Sequence, residues 1–363
     1  MGGPSTPFGV YVHVPFCARR CDYCAFATWT DRDELMHDYA TACVSELAAA
    51  AGNAADDLPA ATSVFFGGGT PSRLPAALLT GILDAITRQP GAEVTVECNP
   101  DTVSAELLAA YRGAGVTRLS FGVQSMVPHV LAGLGRTHDP DNVRRAVHLA
   151  AAAGFASWNV DLIYGGAGES VADWVATLDA VLALDPPPAH VSAYALTVEP
   201  GTPLAADPAR HPDDDDQAEK YLLAEARLTA AGLLSYEISN WARPGHECQH
   251  NLLYWRQGDY RGIGCAAHSH RAGRRWWNVR TPERYISLVR AGVPPVAGEE
   301  VLDADGRRVE ALELSLRTAE GVPAGTLAGD EAAVAGLIER RGDRLVLTAA
   351  GRLLANEVAV RLR

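Results

Sequence analysis

Cys17, Cys21 and Cys24 stand within eight residues at CxxxCxxC spacing, directly after an apolar run at 10–14 that Pro15 closes. Three thiolates on one loop can hold three irons of a 4Fe-4S cube. The fourth iron then lacks a protein ligand, and an open coordination position is what chemistry on a bound molecule requires. Two other readings stay open on these residues alone: a zinc site completed by His13 or His37, or three unrelated thiols. Structural zinc usually pairs its cysteines as CxxC with a second pair or a Cys/His knuckle further on, and no second pair follows here. The other four of the seven cysteines, Cys43, Cys98, Cys248 and Cys265, lie among apolar residues or turns and read as small core side chains.

Further polar residues fall where apolar runs end. Gly67-Gly68-Gly69-Thr70 follows Ser63-Val64-Phe65-Phe66, and three glycines there let backbone approach a small polar ligand where any Cβ would collide. Glu97 and Asn99, Gln124, Asp161 and Tyr194 occupy equivalent positions further along. Glycine, Asn and Asp are also ordinary turn formers. That accounts for the glycines better than for Asp161, because a carboxylate inside a buried strand needs a partner. Arg136 carries a planar fork that suits a carboxylate, although a lone arginine more often forms a surface ion pair.

The elements that must position these groups are legible as alternating runs. Short β-branched or aromatic segments at 9–14, 62–66, 93–98, 117–121, 157–164 and 189–197 read as buried strands. Amphipathic Ala- and Leu-rich stretches at 32–51, 75–88, 104–112, 139–153 and 170–184 read as helices. Six strands alternating with helices imply parallel pairing with right-handed crossovers, so the expected class is α/β, a partial (β/α)6 TIM-like barrel. In such barrels the carboxyl ends of the strands converge on one mouth, which would bring the cysteines, glycines, Glu97, Gln124 and Asp161 to one ligand.

The chain of 363 residues is 48% hydrophobic and 21% charged, which is ample for a buried core. Its net charge of -13 repels phosphate backbones and anionic lipid, so a nucleic-acid binder is disfavoured. Lys220 is the only lysine. No run of about 20 apolar residues occurs, so an integral membrane protein is not expected. Residues 1–10 lack the charged and apolar regions of a signal peptide, and a cytoplasmic location is expected.

Taken together, Tyr11-Val12-His13-Val14-Pro15-Phe16-Cys17, the three-cysteine spacing, Gly67-Gly68-Gly69-Thr70-Pro71, Phe121-Gly122-Val123-Gln124-Ser125, Asn159-Val160-Asp161-Leu162-Ile163-Tyr164-Gly165 and His250-Asn251-Leu252-Leu253-Tyr254-Trp255 resemble radical S-adenosylmethionine proteins, and within them the HemW-type haem chaperones. The likeness covers nearly the whole chain. It implies a 4Fe-4S cluster on Cys17, Cys21 and Cys24, with S-adenosylmethionine chelating the open iron through its amino and carboxylate groups. One-electron reduction of such a pair releases a 5'-deoxyadenosyl radical. By position in the family pattern, Tyr11, Tyr23, Gly68, Gly69, Thr70, Glu97, Gln124, Arg136 and Asp161 are the implied S-adenosylmethionine contacts. No residue is assigned a catalytic role.

The His-Asn-x-x-Tyr-Trp element implies a haem site: His250 as iron ligand, with Asn251, Tyr254 and Trp255 beside the macrocycle. Without the family, a His followed by two aromatics reads as a packed turn or helix start. His268, in Gly264-Cys265-Ala266-Ala267-His268-Ser269, either lines the same mouth or packs as a structural histidine.

The resemblance further implies an acceptor haemoprotein and a reductant such as flavodoxin or ferredoxin. The alternative within the same superfamily is an oxygen-independent coproporphyrinogen III dehydrogenase. Those relatives carry a fourth cysteine two residues after the third and a long segment ahead of the cluster loop. Here Phe26 takes the cysteine's place and Cys17 comes almost at once, which favours the chaperone. Two local departures from the family are Ala25, commonly acidic, and Gly166-Ala167-Gly168-Glu169, usually Leu-Pro-Gly-Gln, which implies a differently shaped turn.

The expected organisation is a radical S-adenosylmethionine barrel at 1–200, an irregular barrel-closing extension carrying the His250 element at 201–297, and a small domain at 298–363. In the extension, the acidic run at 213–216 reads as the cap of a helix over 218–231. The last segment resembles the family's winged-helix-like appendix. With 9 arginines against 12 acidic residues it is an expected lid or docking unit rather than a DNA reader.

Overall fold

The computed structural model describes residues 6–52, 58–325 and 331–362. Six strands, β1 (Phe8–Val14), β2 (Ala61–Gly68), β3 (Arg88–Cys98), β4 (Arg118–Gln124), β5 (Ser157–Tyr164) and β6 (His190–Ala195), pair in sequence order and all in parallel. Between them run α1 (Met36–Ala51), α2 (Ala76–Asp84), α3 (Ala105–Gly113), α4 (Pro128–Gly133), α5 (Pro140–Ala152) and α6 (Val171–Leu182). β1 is buried at every position except half-buried Tyr11, as a strand covered on both faces must be. Helix starts follow capping chemistry: Ser104 accepts from Leu107 N at 3.2 Å, and Ser170 with Asp173 forms a capping box. Two boundaries differ from the sequence reading. The second helix stops at Asp84 and β3 begins at Arg88, and the short helix α4 lies in a stretch to which the sequence assigned no element.

The barrel stays open, because β1 and β6 do not meet. Beyond β6 lie α7 (Asp214–Ala230), β7 (Leu234–Glu237) and β8 (Asn240–Ala242), with β8 antiparallel to β6. Beyond β1 the sheet continues through β9 (Asp259–Ile263), β10 (His268–Arg271), β11 (Arg274–Asn278) and β12 (Val296–Val301), with β9 parallel to β1. The extension thus lengthens both edges of one twelve-stranded sheet. α8 (Gln249–Trp255) and α9 (Pro282–Arg290) connect these strands. α7 starts four residues before the expected 218, because Asp213 caps it by accepting from Asp216 N at 2.9 Å and the acids at 214–216 sit in its first turn. β12 crosses residue 297 and belongs to the large sheet.

The C-terminal unit combines α10 (Ala304–Leu316), a three-stranded antiparallel sheet of β13 (Val322–Pro323), β14 (Ile338–Arg341) and β15 (Arg344–Leu347), and the helices α11 (Ala349–Leu353) and α12 (Ala355–Leu362). It has its own small core around Leu312, Leu316, Leu345 and Val358. Among the described residues no helix is long and apolar enough to cross a membrane.

Candidate functional site

The loop after β1 is folded against the loop after β2. Gly69 N donates to Val14 O and Thr70 N to Phe16 O, both at 2.8 Å. A Cβ on Gly69 would lie 2.8 Å from each of those carbonyls and 3.1 Å from Cys17 Sγ. Gly68 has φ +109°, and a Cβ there would meet the His13 ring at 2.4 Å. Both positions therefore require glycine because a Cβ would collide with the chain's own atoms.

Two of the three thiols already accept from donors at the mouth. Thr70 Oγ1 donates to Cys17 Sγ and Arg136 Nη1 to Cys21 Sγ, each at 3.6 Å. The cluster loop is pinned from behind: Asp22 N donates to Leu134 O at 3.3 Å, and Arg210 Nη2 donates to Asp22 Oδ2 at 2.8 Å. Tyr23 packs on the apolar cluster of Val130, Leu134 and Leu204. Burial pushes the thiols of Cys17 and Cys24 up, the direction that a bound cation reverses. All seven cysteines are free. Among the described residues no three His, Cys, Asp or Glu side chains converge on a single-ion site. His13, one of the groups considered for zinc, has its Nε2 2.9 Å from Ala27 O and its Nδ1 3.1 Å from Tyr11 Oη. His37 is exposed on the first turn of α1.

Register brings the remaining polar groups to the same mouth. Glu97 pairs with Ser120 across β3 and β4, and Gly122 with Asp161 across β4 and β5. Glu97 Oε2 accepts from Gly68 N at 3.1 Å. Burial first and then Asp161 push the Glu97 carboxyl up to about 8. Burial also raises Asp161, while Ser120 Oγ at 2.8 Å and Asn159 Nδ2 at 2.7 Å hold its anion. A bulge after Gly122 leaves Gln124 at φ +67°. Arg136 Nη2 donates to Gly122 O at 2.6 Å, and its buried Nε has no partner among the described residues. Facing carboxylates and an underused guanidinium suit a ligand that carries ammonium, sulfonium and carboxylate groups together.

The support behind Asp161 escaped the sequence reading. Asn159 Oδ1 lies 2.7 Å from His190 Nδ1, and His190 Nε2 lies 2.8 Å from Tyr236 Oη. The alternation of a strand was the available signal, since Asn159 and Asp161 share one face of β5.

A second space opens beside the first. A cavity of about 690 Å³ lies between Ala25–Ala27 of the cluster loop, β9–β11, α8 and α10. Tyr11 and His13 border it from β1, and Tyr254, Tyr260 and His268 line it from the extension. His250 lies underneath, wholly buried, with Nδ1 2.9 Å from Ser63 Oγ and Nε2 2.8 Å from Tyr254 Oη. Neither nitrogen is free to reach an iron in this arrangement. Asn251 and Trp255 are half-buried on the same helix and do not line the cavity.

Comparison with known proteins agrees with this geometry. The model of the radical SAM superfamily matches residues 11–181. A protein of Mycobacterium tuberculosis named heme chaperone HemW is 45% identical over 98% of this chain and 94% of its own length. Its namesake in Escherichia coli is 41% identical over 72% of this chain and 70% of its own. Among solved structures, the coproporphyrinogen III oxidase HemN of Escherichia coli, described as a radical SAM enzyme, superposes with a TM-score of 0.84, at 23% identity, over 99% of this chain and 91% of that one. That last likeness is one of fold.

Proposed function

The chain belongs to the HemW heme chaperones of the radical SAM superfamily, and from that premise we propose that it binds haem beside a 4Fe-4S cluster and passes it to an acceptor haemoprotein. The single observation that carries the reading is adjacency: Ala25, Phe26 and Ala27, which follow Cys24 directly, form one wall of the 690 Å³ cavity. When bound, the cluster supplies one electron to the sulfonium of S-adenosylmethionine. Cys17, Cys21 and Cys24 hold three irons. Arg136 receives the ligand's carboxylate, Glu97 and Asp161 face its positive charges, and Gly68, Gly69 and Thr70 present backbone at close range. Tyr11, Tyr23 and Gln124 complete the enclosure.

In this reading residues 1–200 hold the cluster and S-adenosylmethionine, residues 201–297 supply the haem side through the His250 element, and residues 298–363 cover the cavity or dock the acceptor. The protein works in the cytoplasm with a flavodoxin- or ferredoxin-like reductant. The test is to load the anaerobically reconstituted protein with haem and mix it with an apo-haemoprotein. Haem should move to the acceptor, and incubation with coproporphyrinogen, S-adenosylmethionine and reductant should give no decarboxylated porphyrinogen. Decarboxylated product at useful rates, without haem transfer, contradicts the chaperone and favours the dehydrogenase.

A further inference from the structure

We propose that haem sits in the cavity beside the cluster loop with His268, not His250, as its axial ligand and Arg280 as the anchor of a propionate. The inference rests on the haem-binding reading above and assigns its contacts. A volume of about 690 Å³ is in the range of small-molecule sites. Tyr11, Tyr254 and Tyr260 give the walls flat faces, and Phe26, which is 62% exposed, stands at the rim next to Cys24. Aromatic faces with a polar edge are what a macrocycle with two carboxylate arms requires.

Four histidines lie in or under this space, and three are already committed. Both nitrogens of His250 and both of His13 are hydrogen-bonded. His270 Nδ1 donates to Gly258 O at 3.0 Å and its Nε2 accepts from Gly273 N at 3.1 Å. His268 differs. It is exposed at the start of β10, lines the cavity, and among the described residues neither of its nitrogens has a hydrogen-bond partner. Its ring is held by stacking on Trp277 across the β10–β11 pair, with centroids 5.7 Å apart and planes at 25°.

His250 then acts as a positioning residue. Its Nε2 fixes the Tyr254 hydroxyl, and the Tyr254 ring packs edge-on against Tyr260 with centroids 4.6 Å apart, so the His-Asn-x-x-Tyr-Trp element shapes the cavity wall.

Two guanidinium groups reach the polar side of the cavity. Arg275 is committed to Glu310 and lies 3.7 Å from Glu300. Arg280 is exposed, lines the cavity and has no acidic partner among the described residues, which leaves it available to a carboxylate.

The test is an anaerobic haem titration of the reconstituted full chain, read as Soret position, ferric haem EPR and dissociation constant. His268→Ala should weaken binding about tenfold or more and lose the imidazole-ligated signature, which free imidazole should restore. His268→Cys should give a thiolate-type spectrum, and His250→Ala should keep the native Soret position. Unchanged iron–sulfur absorbance verifies that each variant is folded. Arg280→Gln should weaken haem about tenfold while leaving the haem dimethyl ester unaffected. If the His268 variants keep the native band while His250→Ala or Tyr260→Phe loses it, the ligand assignment is overturned and the chaperone reading stands. Equal weakening of haem and its ester by Arg280→Gln removes the propionate anchor. If the native chain takes up no haem, the underlying reading falls and this inference falls with it.

Discussion

In the proposed S-adenosylmethionine site, Glu97 is the group expected to confer sensitivity to pH. Its carboxyl is raised from 4.5 to about 8 by burial and by Asp161, so the folded chain keeps a proton that the unfolded chain releases. The associated stability is full below pH 4.5 and is lost as pH rises through about 8. A ligand bearing sulfonium and ammonium charge favours the anion, so binding expels that proton. Affinity for S-adenosylmethionine should therefore climb with pH toward about 8 and level off above it. Calorimetry across pH on native protein and Glu97→Gln checks this, since the variant should give a flat profile; the same slope in both would move the titrating group elsewhere. Glu97 and Asp161 were legible because a carboxylate in an apolar strand is conspicuous by type and position. The state of His250 was not. One of its nitrogens is taken by Ser63, 187 residues away, and no local pattern announces that bond.

At the scale of elements, the turn after β5 shows how a departure from the family pattern is accommodated. Glu169 replaces the usual Gln, and the only lysine answers it. Lys220, wholly buried on α7, lies 3.1 Å from Glu169 Oε2 and 2.7 Å from Asp216 Oδ2. Glu169 Oε2 also accepts from Gly165 N at 2.7 Å, so the pair fastens the end of β5 to α7. Lys220→Met strands a buried carboxylate and should cost about 3–5 kcal/mol in a denaturant titration, most of which Glu169→Gln in the same chain should recover. A double variant as unstable as the single one contradicts the pairing. The parallel core was readable because buried strands and capped helices carry local signatures such as Ser170 with Asp173. The sheet extensions carried few: β12 is almost wholly exposed, and β9 joins β1 from about 250 residues downstream through register alone. The loop beyond β9 owes its shape to α1, where Glu46 accepts from Gly264 N at 3.0 Å and from the Tyr285 hydroxyl at 2.7 Å.

At the scale of the molecule, the cavity has no single segment of its own. The cluster loop near the amino terminus, the added strands and α10 each give one wall, and α10 also puts Leu312 and Leu316 into the small C-terminal core. Through Glu310 and Leu314 of α10 the C-terminal unit borders the same space as Ala25–Ala27, a contact that the expectation of a lid or docking unit did not locate. A net charge of -13 disfavours polyanions as ligands of the whole molecule. The proposed function depends on three thiolates leaving one iron open to S-adenosylmethionine. EPR of the reduced, anaerobically reconstituted protein with and without S-adenosylmethionine tests this directly, beside the triple variant Cys17→Ser, Cys21→Ser and Cys24→Ser. The account predicts about four irons per chain, a cluster signal that changes when S-adenosylmethionine is added, and loss of that iron in a triple variant that remains folded. An unchanged signal on addition, or full iron content in the triple variant, contradicts it.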